Sequence, residues 1–218
     1  MKGTYVQFSQ IKPGAHKLRR EVVVNRQRER IIDAAVELIA ERGYRAVSVA
    51  AIVKQAGVAR LKFYEIFSSK QDCFLAAYDD AIEEIGRRVG EACAAAGEEF
   101  AARARAGISV LLDFLADRPA LARACILEAP SLGAAMGERR DQTLAAFAPL
   151  FTGAREAGGE AELPAGLEES VLDGLYWLLY DAILAGSPKR VTELRSPLVE
   201  FAMLPFVGPV AAREAAAS

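Results

Sequence analysis

Residues 57–70 read GVARLKFYEIFSSK. Two cations, Arg60 and Lys62, stand beside Tyr64, with Lys70 closing the stretch and Phe63, Ile66 and Phe67 interleaved among them. Arg and Lys can donate to guanine O6 and N7 in a DNA major groove, and Lys and Tyr donors can hold phosphates. Phe63 and Phe67 recur at helical spacing, so they read as packing rather than as base-stacking residues. The chemistry on offer is non-covalent recognition of a polyanion. The competing reading of Arg60 and Lys62 is an ordinary solvated helix face, and that of Tyr64 is a partly buried structural tyrosine.

Charge placement favours the polyanion. Residues 1–70 carry 14 Lys+Arg against 6 Asp+Glu, or +8, whereas residues 71–218 carry 13 against 23, or −10. The overall charge of −2 thus conceals a basic segment joined to an acidic body.

Other chemistries find little support. His16 is the single histidine and lies apart from any Ser or Cys nucleophile, so no catalytic residues are assigned. Asp79, Asp80, Glu83 and Glu84 lack an accompanying histidine and read as a solvated helix face rather than a metal site. Cys73, Cys93 and Cys125 are odd in number and widely spaced, which suits small buried hydrophobes in a reducing compartment better than disulfides or zinc. Neither cofactor nor metal is expected. The start, MKGTYVQFSQIKPGAHK, lacks an apolar signal region, and the most apolar run, GLYWLLYDAILAG (174–186), is too short to span a bilayer and contains Asp181. A cytoplasmic protein without membrane contact is expected.

The elements that must position the cations are helical. From Arg26, the residues Ile31, Ile32, Ala35, Leu38 and Ile39 form one apolar stripe, which Gly43 is placed to end. Ser48 can cap a short helix carrying Ile52 and Val53, Gly57 supplies a tight turn, and a second short helix runs through Arg60–Phe67. Ser69 with Asp72 resembles a capping box opening a long helix to about Ala96. Further helices are expected over 100–117, 119–129, 132–157 and 167–186, with a last one from Ser196-Pro197. The 167–186 helix is apolar nearly all round, with Leu172, Leu175, Tyr176, Leu179 and Ile183 on one face and Trp177, Tyr180 and Leu184 on another. Such a helix needs burial on two sides, in a large core or against a partner subunit. Residues 1–25 show no period and are expected as a basic arm, either a solvated tail or a segment that touches DNA.

The run RQRERIIDAAVELIAERGYRAVSVAAIVKQAGVARLKFYEIFSSKQDCFLAAY (26–78) closely resembles the DNA-binding region of the tetracycline-repressor (TetR) family of bacterial transcriptional regulators. AERGY, VSVAAIVKQAGV and FYEIFSSK are its most specific elements. The resemblance implies a homodimer on double-stranded DNA, with the third helix of each subunit in a major groove and a C-terminal helical domain that binds an effector. It also implies that the last two helices build a four-helix bundle across the dimer. Ala59 departs from the family where a capping serine is common, Lys62 where a small residue is usual, and Ile66 where a His or Tyr is frequent.

The expected fold is all-α with about nine helices: a basic extension (1–25), a three-helix helix-turn-helix domain (26–72) and an effector-binding and dimerisation domain (73–218). The expected function is a ligand-responsive repressor on a palindromic operator. Arg60 and Lys62 contact bases; Ser48, Tyr64 and Lys70 contact phosphates; Arg45 and Lys54 are weaker DNA contacts. The effector is expected to be small and apolar; Phe114, Phe147, Trp177 and Tyr180 could line its pocket, though each also suits plain core. The alternatives are a helical small-molecule-binding or enzymatic domain with a vestigial helix-turn-helix, and an architectural DNA protein without an effector.

Overall fold

The computed structural model describes residues 13–137, 139–159, 162–186 and 188–217, and among them there is no β-strand. The first helix, α1, spans Pro13–Arg42. It begins well before Arg26, so residues 13–25, expected as an arm, are helical. Pro13 sits at the first helical position, where a missing N–H is not needed. Residues 1–12 of that arm lie outside the described residues. After a 3₁₀ turn at Tyr44–Ala46 come α2 (Val49–Ala56), α3 (Arg60–Ile66) and the long α4 (Lys70–Ala95). Ser69 caps α4 by accepting from the Asp72 amide at 3.0 Å, while the Asp72 carboxylate reaches back to the Ser68 amide at 2.8 Å.

Helix α5 (Phe100–Asp117) is followed by α6 (Pro119–Arg123), which runs into a π turn at Ala124–Glu128 and a 3₁₀ turn at Ala129–Leu132. Pro130 explains the change of winding. It has no N–H for the carbonyl four residues back, that of Ile126. That carbonyl instead accepts the Tyr176 hydroxyl at 2.8 Å. Burial pushes the Tyr176 phenol up to about 12, which keeps it a donor.

The single helix expected over 132–157 is broken into α7 (Ala134–Gly137), α8 (Arg140–Phe147), a 3₁₀ turn at Ala148–Phe151 and α9 (Ala154–Ala157). Pro149 lies in that turn and removes a helical donor. Helix α10 spans Leu167–Leu184, and α11 spans Pro188–Glu193. Helix α12 spans Arg195–Ala217, opening a residue ahead of the expected Ser196 start, and it is broken at Gly208 (φ 77°, ψ 173°) between Pro205 and Pro209. No helix among the described residues is long and apolar enough to cross a membrane.

Two apolar clusters hold these elements. One gathers Ile31, Leu38, Ile52, Phe63 and Phe74 from α1–α4, together with Ala124 and Ala129 from the turns after α6. The other joins Ile85, Val89 and Cys93 of α4 to α5, α10 and α12 around Leu112, Leu175 and Leu198. Helix α4 therefore belongs to both. The α6 segment also grips the first cluster with polar contacts: Arg123 donates to the Ala40 carbonyl at 2.9 Å, and Glu128 accepts the Tyr44 amide at 2.8 Å.

Candidate nucleic-acid interface

Ser48 opens α2 in extended backbone, and its Oγ accepts the Ala51 amide at 3.2 Å. Its hydroxyl proton is left to donate outward. The helix ends at Gly57 (φ 62°, ψ 40°), a left-handed position where glycine avoids the Cβ penalty. Arg30 of α1 donates to the Ala56 and Gly57 carbonyls at this turn. A cation there meets the negative end of α2, so α1 fixes the angle at which α3 departs.

On α3, Phe63 is fully buried and Phe67, its C-cap, nearly so, with ring centroids 5.7 Å apart. Both aromatics are packing, in agreement with their spacing. At about 100° per residue, Leu61 and Glu65 lie roughly opposite these two rings, with Lys62 and Tyr64 on either flank. Leu61 is 73% exposed and Tyr64 46%. The Arg60 guanidinium lies 3.5 Å from Tyr64 Oη and 5.7 Å from its ring centroid, so the two side chains form one exposed unit. Lys62 Nζ donates to Glu65 at 2.8 Å. Ala59 precedes α3 without a side-chain cap, as its methyl dictates. Ile66 is half-buried and packs against the first cluster.

Lys70 is held inward. Its ammonium donates to the Tyr44 carbonyl at 2.6 Å and the Val47 carbonyl at 2.8 Å, and sits 4.0 Å from the Tyr44 ring centroid. Burial lowers its pKa from the ordinary lysine value. With two of three N–H bonds committed, Lys70 clamps the start of α4 to the loop leading into Ser48, and one N–H remains for an anion. Arg45 and Lys54 are both exposed, on the 3₁₀ turn and on α2 respectively.

The sequence reading missed three residues here. Arg30 gave no signal, because its role depends on a carbonyl twenty-six positions away. Leu61 and Glu65 could have been found by projecting α3 about Phe63 and Phe67.

Of the aromatics considered for an effector pocket, Phe114 is buried between Arg118 at 4.3 Å and Arg88 at 5.5 Å, Phe147 and Tyr180 are half-buried, and Trp177 is 60% exposed. Two surface clefts flank the body. One, about 440 Å³, lies between α1, α4 and α5 and is lined by Ile32, Val36, Ala81, Phe114 and Arg118. The other, about 390 Å³, lies between α5 and α12.

Comparison with known proteins bears on this geometry. Residues 31–77 match the family described as bacterial regulatory proteins, tetR family. The fatty acid metabolism regulator protein of Bacillus subtilis is 43% identical over 61 residues, a stretch covering 28% of this chain and 31% of that protein. The structure of the fatty acid degradation regulator FadR from Bacillus halodurans superposes with a TM-score of 0.72 at 23% identity, covering 84% of this chain and 95% of that one. The transcriptional regulator FadR from Bacillus subtilis, crystallised in complex with stearoyl-CoA, gives a TM-score of 0.70 at 25% identity over 83% of this chain and 98% of that one.

Proposed function

We propose, for a chain that belongs through residues 31–77 to the tetR family of bacterial regulatory proteins, the role of a ligand-responsive repressor that binds a palindromic operator as a homodimer. The carrying observation is the α2–Gly57–α3 unit, which buries Phe63 and Phe67 while Arg60 and Tyr64 are exposed and Lys62 is half-buried beside them. Arg60 and Lys62 contact base edges. Lys62 enters the groove already paired with Glu65, so its contact exchanges one partner for another. Tyr64, Ser48 and the free N–H of Lys70 hold phosphates, and Arg45 and Lys54 add weaker contacts.

The homodimer forms through α10 and α12, where Trp177, Leu184, Phe201 and Leu204 are exposed. Residues 73–218 bind the effector. The stearoyl-CoA in the Bacillus subtilis regulator supports an effector with a long apolar chain, though one carried on a large anionic group rather than small and wholly apolar, and makes a long acyl thioester the first to test. Effector binding favours a spacing of the two recognition helices that no longer matches successive major grooves, and the operator is released. The relatives are regulators, which leaves the vestigial helix-turn-helix reading without support.

The test is fluorescence anisotropy with promoter duplexes from the source genome at physiological salt. Wild type binds one duplex selectively, affinity falls steeply as salt rises, and long-chain acyl-CoA releases it. Arg60→Ala/Lys62→Ala weakens binding by roughly tenfold or more, from about 1–3 kcal/mol per base contact. Equal binding by the double variant sinks the base-contact assignment.

A further inference from the structure

We propose that Leu61 is a specificity-determining residue that reads the 5-methyl group of a thymine, one in each half-site. The proposal rests on the chain being a DNA-binding regulator and adds what kind of base pair its third helix selects. Among the described residues, the exposed large apolar side chains outside α3 all lie on α10 and α12. On α3 they are Leu61 and Tyr64, and at 73% Leu61 is the most exposed of the whole set. It stands opposite the Phe63 and Phe67 rings, at the outward pole of a helix whose other side is fully packed. Its neighbours Arg60 and Lys62 are both cations, so the helix presents this leucine on the face that charge draws toward DNA.

Of the groups that base pairs display in the major groove, the thymine methyl is the apolar one. A leucine there makes no hydrogen bond, so it gains nothing from a guanine O6 or N7 and strips water from it. Against a thymine methyl it buries apolar surface on both partners. Lys62 Nζ donates to Glu65 at 2.8 Å, so that ammonium is engaged one turn beyond the leucine. Leu61 thus distinguishes A·T from the other pairs at a position next to the one that Arg60 contacts.

The experiment starts from a duplex that the full-length wild-type chain selects out of a random library at physiological salt. Each thymine is then replaced in turn by deoxyuridine, which removes the methyl and leaves every hydrogen-bonding group in place. One position per half-site is expected to weaken wild-type binding about fourfold, and about fifteenfold when both half-sites carry it, the value of one buried methyl each. Leu61→Ala, which keeps the fold because the side chain is exposed, binds the thymine and deoxyuridine duplexes within about twofold of each other. Wild-type affinity unchanged by every substitution overturns the assignment and leaves DNA recognition standing. So does a Leu61→Ala chain that loses the same factor as wild type. If wild type selects no duplex at all, the regulator reading falls and the assignment falls with it.

Discussion

Lys70 illustrates how a single side chain can serve two ends of a site. Its ammonium is drawn out of water by the Tyr44 ring and held by two carbonyls, so its charge is balanced by dipoles rather than by a carboxylate. Hydrogen bonds from a charged donor contribute more than neutral ones, and removing the donor strands the acceptors. Lys70→Met is therefore expected to lower the stability of the chain by roughly 1–3 kcal/mol in urea unfolding, besides weakening operator binding. An unfolding midpoint equal to wild type would show that the two bonds contribute nothing and that the lysine serves DNA alone. The residue pattern made the α3 donors legible, since Arg60 and Tyr64 are exposed and Lys62 is half-buried on its flank. It did not reveal that Lys70 points inward, because nothing local marks the carbonyls of Tyr44 and Val47 as its partners. Leu61 was hidden for another reason: in a seven-residue helix, an apolar side chain off the stripe is easily counted as core.

Helices were legible where no proline interrupts the period, as in α5 and in α10; of the two apolar faces of α10, the one with Leu175 and Leu179 is buried, while Trp177 and Leu184 of the other are exposed. They were illegible between α6 and α9, where prolines change the winding without ending the chain's turn-by-turn progress. Pro130 is the clearest example, since its effect is completed by a hydroxyl from α10. Tyr176→Phe leaves the Ile126 carbonyl without that donor and is expected to cost about 1–2 kcal/mol. Adding Pro130→Ala to the same chain supplies a backbone N–H in its place and is expected to recover part of the loss. Urea midpoints of the two variants decide this. A double variant no more stable than Tyr176→Phe would mean that the π turn is set by packing of Ala124 and Ala129 rather than by the missing amide.

For the molecule as a whole, the exposed apolar residues of α10 and α12 are the face on which the proposed homodimer rests. Trp177→Glu/Leu184→Glu places two carboxylates on this face and is expected to yield a monomer by light scattering, with the helical circular dichroism of wild type and operator affinity lost along with the second subunit. A variant that stays dimeric would move the interface elsewhere. The two apolar clusters also share α4, whose 26 residues at about 1.5 Å per residue make a rod about 39 Å long. Such a rod acts as a lever. Pivoting about its end in the second cluster, it carries the Lys70 end about 0.7 Å for each degree of tilt, so about 5° moves it roughly 3 Å. Two subunits tilting oppositely change their separation by roughly 7 Å, against a groove repeat of about 34 Å. Because α4 is this long, in the proposed homodimer a displacement near Cys93 no larger than a rotamer change would put the two recognition helices out of step with the DNA.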